Sequence, residues 1–265
     1  MYFWQNYFPY PILVSFGPIS IRFYGLILVI AIISASYVAR KYLLKKSLIN
    51  KEQFEDLAFW LIIFGLFGAR FGHVVFFNFS YYLQNPQDII KVWHGGLSIQ
   101  GALLFGLMTA VFWARKNKIS FWQLTDAVVP AVALGQSFGR WGNFFNQELY
   151  GQPVSWGIAI ARVNRVIGYE YFNYFHPAFL YEFILNLCLF FVLRYFLWKK
   201  RFKKGTVTLL YFAGYFVIRF FMEFVRIDET PVVFGMRLPQ MISLWGFIFV
   251  LFFVYYIHID KRNRV

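Results

Sequence analysis

Long apolar runs alternate with short polar connections along the whole chain, and the runs are long enough to cross a bilayer as helices. At ~1.5 Å per residue, about 20 apolar residues traverse ~30 Å of hydrocarbon. Seven stretches qualify, near residues 20–40, 54–78, 96–114, 121–142, 177–198, 206–226 and 238–258. The pattern predicts an all-α polytopic membrane protein: one integral membrane domain, 1–265, with seven transmembrane helices. The fourth stretch breaks its own apolar character. Asp126, Ala133, Gln136, Arg140 and Asn143 recur at helical spacing as one small or polar stripe, which is expected to face protein or water rather than lipid. The stripe runs into GRWGNFFNQELYG (139–151), where Arg140, Asn143, Asn146, Gln147 and Glu148 crowd the end of the segment. Polar groups at membrane depth mark either a functional site or a hydrogen-bond network joining helices.

Composition supports the membrane assignment. The 265 residues are 60% hydrophobic and 14% charged, with mean hydropathy +0.54, whereas soluble domains carry about 25% charged residues. The net charge of +14 is dispersed in short runs between apolar segments, so it signals topology and not a nucleic-acid partner. Arg40, Lys41, Lys45, Lys46 and Lys51 follow the first segment; Arg115, Lys116 and Lys118 follow the third. Arg194, Lys199, Lys200, Arg201, Lys203 and Lys204 lie at the end of the fifth and just after it, and Lys261, Arg262 and Arg264 come last. These runs belong on the cytoplasmic side, which puts the N-terminus outside and the C-terminus in the cytoplasm.

The first 19 residues hold no Lys or Arg, so they lack the basic region of a cleavable signal peptide. Trp93, Trp141, Tyr150, Trp156, Tyr169, Tyr171 and Tyr174 gather at the outer segment ends, as an interfacial aromatic belt does. Residues 146–176 form the longest external connection, and PVSWGIAIARV alternates enough for short strands, so a small external cap is expected between helices 4 and 5. Cys188, the single cysteine, lies in LNLCLFF and reads as a buried structural thiol, with no disulfide and no metal cluster.

Other polar residues acquire meaning from this topology. Arg219, Glu223 and Arg226 fall at i, i+4 and i+7 of the sixth segment, two cations around one carboxylate. Glu223 bridging both arginines would still leave a surplus positive charge, which suits a phosphate ligand. Arg70 and His73 share a face of the second segment, and Gly65, Gly68 and Gly72 allow close helix approach. His94 and Gln100 flank the Gly95–Gly96 pair that opens the third segment. His176, Tyr181 and Glu182 begin the fifth, where Pro177 suits a helix start.

The motifs GRWGNFFNQELYG (139–151), HPAFLYE (176–182), RFFMEFVRID (219–228), FYGL (23–26), GARFGH (68–73) and WHGGLSIQGA (93–102) resemble, in this order, those of the bacterial prolipoprotein diacylglyceryl transferases. The resemblance covers nearly the whole chain. It implies transfer of the diacylglyceryl group of phosphatidylglycerol to the lipobox cysteine thiol of a prolipoprotein signal peptide at the bacterial inner membrane. Glycerol phosphate is released, and no metal or soluble cofactor is implied. By family position Arg140 and Arg219 resemble the two essential arginines, and Tyr24 the functional tyrosine of the first helix. Asn143, Asn146, Glu148 and Gly151 resemble headgroup- and loop-positioning residues. Arg70, His176, Tyr181, Glu182, Glu223 and Arg226 join them as candidate substrate-binding positions, with Gln100 and His94 as candidate catalytic ones.

Gln100 departs from the pattern: several members of the family carry histidine there, and an amide cannot act as a general base near neutral pH. Either the chemistry needs no histidine at that position, or His94 or Tyr24 takes the proton, or activity is lost. The other functional classes are a phospholipid-binding relative with a degenerate site and a transporter. A transporter would carry broken helices in matched halves, which the chain lacks.

Overall fold

The computed structural model describes residues 5, 7–17, 19–199 and 202–259, without the side chains of Ile19, His94 and residues 256–259. Lys200, Arg201, Lys261, Arg262 and Arg264, assigned above to the cytoplasmic side, lie outside the described residues. The long helices are α1 (Phe23–Lys45), α2 (Lys51–Phe76), α4 (Ile99–Lys116), α5 (Phe121–Asn146), α6 (Ala178–Trp198), α7 (Thr206–Met222) and α8 (Leu238–Ile259), with a short α3 (Phe79–Gln84). Three antiparallel strand pairs accompany them: β1 (Ile12–Phe16) with β2 (Ile19–Arg22), β3 (Pro153–Ala159) with β4 (Tyr174–Phe175), and β5 (Val232–Val233) with β6 (Met236–Arg237). The chain forms two compact units, residues 1–39 with 125–265, and residues 40–124.

Among the described residues, four helical stretches, Phe23–Lys45, Lys51–Phe76, Ala178–Trp198 and Leu238–Tyr255, are long and apolar enough to cross a membrane, and Thr206–Met222 is a shorter apolar helix. Large apolar side chains such as Ile33, Ile62, Phe76, Phe191 and Phe249 are exposed along them. Such surfaces are stable against lipid and not against water, so the chain is a polytopic helical membrane protein. The same reasoning corrects the placement of Cys188, which is exposed on α6. Its apolar neighbours suggested a protein core, but an apolar run on a membrane helix also supplies the lipid-facing surface.

In the larger unit, α5 packs Val129, Ala133 and Leu134 against Leu189, Phe190 and Leu193 of α6 and Val207 and Tyr211 of α7. Asp126, at the start of the predicted stripe, is buried and caps α7 from outside that helix. Its carboxylate accepts from Gly205 N at 2.6 Å, Thr208 N at 2.8 Å and Thr208 Oγ1 at 2.7 Å. Three donors at a helix start are thereby satisfied, and the negative charge opposes the positive end of the helix dipole. Further along, Phe144, Tyr150, Ile158, Ile160, Phe175 and Phe179 form a second core beneath β3 and β4. The strand expected in PVSWGIAIARV is β3. The β1–β2 hairpin, turning at Gly17 with φ +58°, precedes the first helix where the sequence reading expected no strand, and α1 starts at Phe23 rather than near 20.

In the smaller unit, α2 and α4 approach closely through glycine. A Cβ on Gly68 would lie 2.6 Å from the Gly101 carbonyl oxygen, and one on Gly72 3.0 Å from Gly101 Cα. Gly65 faces open space and takes no part. Asn50 and Gln53 cap α2 reciprocally, with Gln53 N donating to Asn50 Oδ1 at 2.7 Å and Asn50 N to Gln53 Oε1 at 3.0 Å.

Candidate functional site

The larger unit gathers Arg140, Glu182, Arg226, Asp228, Arg237, Glu223 and Arg219 into one ionic chain. Arg140, near the end of α5, is ion-paired through Nη2 with Glu182 on the first turns of α6. Glu182 Oε1 lies 3.1 Å from Arg226 Nη1, and Arg226 Nε donates to Asp228 Oδ1 at 2.8 Å. Arg237 Nη2 stands 3.7 Å from Asp228 Oδ2, and its Nε 2.8 Å from Glu223 Oε2. Glu223 Oε1 completes the series 2.5 Å from Arg219 Nη2. Four arginines face three carboxylates, so the chain keeps a surplus positive charge. The end members each have one carboxylate and the inner arginines two. The Arg140, Arg237 and Arg219 side chains are 22%, 20% and 18% exposed, that of Arg226 4%.

This arrangement corrects the reading of Arg219, Glu223 and Arg226 as one helix face. α7 ends at Met222 with Glu223 as its C-cap, and the chain turns so that Arg226 meets Glu182 and Asp228. The second cation on Glu223 is Arg237, at the end of β6, which sequence reasoning did not single out. Burial opposes ionisation of Asp228, but the Arg226 hydrogen bond and the charges of Arg226, Arg237 and Arg219 outweigh it and hold the carboxyl below its usual range.

The asparagine motif extends the network. Arg140 Nη1 donates to Asn143 Oδ1 at 3.3 Å, and Glu148 Oε1 accepts from Asn143 Nδ2 at 2.8 Å and Asn146 Nδ2 at 3.4 Å. Gln147 and Leu149, on either side of Glu148, hold φ +53° and +55°. Such conformations cost about 1–3 kcal/mol each and persist where surrounding contacts impose them. Gln147 supplies those contacts, donating to the Pro9 carbonyl at 2.7 Å and accepting from Ala161 N at 2.7 Å. Gly151 sits where backbones converge: its N–H donates to the His176 carbonyl at 3.0 Å, and it bridges to Arg226. A Cβ there would fall 2.6 Å from Val225 Cγ1 and 2.7 Å from His176 Cβ.

His176 Nδ1 lies 2.9 Å from the Tyr181 hydroxyl, and its ring is edge-on to Trp156. Burial pushes the imidazole below its ordinary value. Tyr24 lies over Gly142, where a Cβ would clash with its ring, while Phe23 stacks on Phe145 at 4.2 Å between centroids. An apolar cavity of about 370 Å³ is lined by Trp141, Trp156, Gly157, Ile158, Pro177, Phe179 and Leu180, with Trp156 also against the His176 ring.

The remaining candidates belong to the smaller unit. Arg70, expected to face substrate, is buried and uses all its N–H donors on loop carbonyls. Nε donates to Ile89 at 2.8 Å, Nη1 to Gly95 and Gly96 at 2.6 and 2.9 Å, and Nη2 to Asp88 and Lys91 at 2.6 and 3.4 Å. It organises the loop before α4, whose Gly95 and Gly96 take φ +90° and +79° to present those carbonyls. His73 Nε2 is 3.1 Å from Asn78 Nδ2. Gln100 is exposed and accepts from Ser98 Oγ at 2.9 Å, while Ser98 Oγ in turn accepts from Gly101 N at the start of α4. The His94 side chain lies outside the described ones.

Comparison with known proteins follows the same lines. The sequence model of the family described as prolipoprotein diacylglyceryl transferase matches residues 11–256. A protein of Trichormus variabilis named phosphatidylglycerol--prolipoprotein diacylglyceryl transferase is 38% identical over 261 residues, 96% of this chain and 92% of its own length. Similar proteins of the same name from Synechococcus elongatus and Staphylococcus aureus are 37% and 36% identical, covering 96% and 88% of this chain and 90% and 84% of theirs.

Proposed function

The chain belongs to the prolipoprotein diacylglyceryl transferase family, and from that premise we propose how its residues carry the reaction. The protein transfers the diacylglyceryl group of phosphatidylglycerol to the cysteine thiol of a prolipoprotein. In this transfer the cysteine sulfur, as thiolate, bonds to the glyceryl carbon while the bond from that carbon to the phosphate oxygen breaks. The electron pair leaves on glycerol phosphate. The barrier falls if cations already in place meet the charge growing on that oxygen.

Arg140 and Arg219 take that task. The observation supporting it is their position at the two ends of an ionic chain with surplus positive charge, each held by a single carboxylate. Glu182 and Glu223 aim the two guanidinium groups without neutralising the set. Asn143, Asn146 and Glu148 hold the end of α5 against the connection that follows it and so fix Arg140. Gly151 lets that connection pack against the segment holding Arg226. Tyr24 closes over Gly142, one turn from Asn146. His176 and Tyr181 form a hydrogen-bonded pair, and the His176 ring meets Trp156 of the apolar cavity, which suits an acyl chain of the lipid whose phosphate Arg140 holds.

The same reading places seven helices, α1, α2 and α4 to α8, across the cytoplasmic membrane, with the basic connections inside and the N-terminus outside. The segment 146–176 then caps the outer face, and the arginines open towards it. Gln100 takes no proton and serves as a hydrogen-bonding group. The test is turnover of labelled phosphatidylglycerol with a lipobox peptide: Arg140→Ala and Arg219→Ala are expected to abolish it while remaining folded.

A further inference from the structure

We infer that Arg237 is a positioning residue for the transfer reaction, acting through Glu223 on Arg219. The inference rests on the phosphate role of Arg219 proposed above. Arg237 is set rigidly by its own backbone. It pairs with Val232 across the β5–β6 hairpin, its N–H donates to Gln240 Oε1 at 3.1 Å, and Leu238 N closes the hairpin onto the Pro231 carbonyl at 2.8 Å. From that anchor the guanidinium reaches four partners at once. Nε meets Glu223 Oε2 at 2.8 Å and Thr230 Oγ1 at 3.0 Å. Nη1 donates to the Arg226 carbonyl, and Nη2 to the Asp228 carbonyl at 2.5 Å.

The consequence for Arg219 follows from sharing. The Glu223 carboxylate is fully buried and divides its two oxygens between Arg219 and Arg237. Without Arg237 the whole negative charge falls to Arg219, which then has less positive field to offer a departing phosphate. The 226–228 turn also loses its clamp, and with it the fixed direction of Arg226 towards Glu182. Both effects act on transition-state charge more than on ground-state binding. Lysine could satisfy one carboxylate but not the fork of contacts, so it should recover only part of the function.

The experiment compares the purified full chain with Arg237→Ala, Arg237→Lys, Arg219→Lys, Arg219→Ala and the double variant Arg219→Lys/Arg237→Ala. Transfer from phosphatidylglycerol to a lipobox peptide is measured over both substrate concentrations, and fold by thermal unfolding in detergent. Arg237→Ala is expected to lower kcat about tenfold or more, with both KM values within about twofold, and Arg237→Lys to fall between it and the parent. In the Arg219→Lys background, the further loss on Arg237→Ala should be smaller than in the parent, because the two act through one carboxylate. A parent-like kcat in folded Arg237→Ala would overturn the inference, as would an effect confined to KM or a fully additive double variant. If Arg237→Ala does not fold, Arg237→Gln is measured in its place against the same outcomes. Full activity in Arg219→Ala would refute the phosphate role itself; an inactive Arg219→Ala beside a parent-like Arg237→Ala would refute only the role of Arg237.

Discussion

Arg140 on α5 is ion-paired with Glu182 on α6, and the same carboxylate holds Arg226 at 3.1 Å. Glu182 is therefore the joint between the asparagine motif and the rest of the ionic chain. Removing either partner should have unequal effects on stability. Arg140→Ala leaves Glu182 with Arg226, so the buried carboxylate keeps a partner and the fold is little changed. Glu182→Ala leaves Arg140 with no carboxylate and Arg226 with Asp228 alone, and breaking a buried ion pair by removing one partner typically costs about 3–5 kcal/mol. Thermal unfolding in one detergent is expected to rank Glu182→Ala well below Arg140→Ala.

Asp126 provides a contrast, because it lies on the same helix yet serves the fold. Its carboxylate caps α7 through Gly205 and Thr208. Asp126→Ala should destabilise the protein by about 1–2 kcal/mol, as loss of a helix cap does. The kcat of the protein that stays folded should match the parent, which steady-state kinetics below the unfolding temperature would check.

Gly151 tolerates no side chain without movement, since Val225 and His176 stand within 2.6 and 2.7 Å of where a Cβ would be. Gly151→Ala is expected to lower both stability and turnover, by about 1–3 kcal/mol in unfolding free energy as overpacking commonly does. Parallel denaturation and transfer assays would show the two losses together.

Asp228 should contribute an acid limb to stability. Its pKa in the folded protein lies below the ordinary carboxylate range. A depressed pKa means that the unfolded chain binds the proton more tightly, so the contribution is present above the unfolded pKa of about 3.9 and is lost as pH falls through the lower folded value. Asp228→Asn should flatten that limb. Denaturation midpoints of parent and variant, taken from pH 6 down to about pH 3, would converge as the acid end is approached.

Much of the site was legible because helices impose short, regular spacings. Arg140 and Asn143 fall one turn apart, and Arg219 and Glu223 pair at i, i+4, as their positions suggested. Arg226 was misplaced because the periodicity was carried past Met222, where the helix ends and the backbone turns. Arg237 escaped notice because its ion-pair partners lie 9 and 14 residues back across a loop and hairpin, a separation with no periodic signature. A charge count gave no signal either, since Arg219 and Arg226 are matched in number by Glu223 and Asp228. The β1–β2 hairpin was written in the alternation around Gly17 but lay beside a much stronger apolar run. Arg70 shows the opposite error, for an arginine beside glycines can serve loop carbonyls as well as an anion.

The most direct measurement is transfer of labelled diacylglyceryl from phosphatidylglycerol to a lipobox peptide by the purified chain and by Arg140→Ala and Arg219→Ala, each shown to be folded. Arg140 and Arg219 sit at the ends of the ionic chain, each with one carboxylate, so turnover by the parent is expected to fall at least about 100-fold in each variant, the scale of a lost transition-state donor. Near-parental turnover in either folded variant would contradict the assignment of that arginine to the departing phosphate.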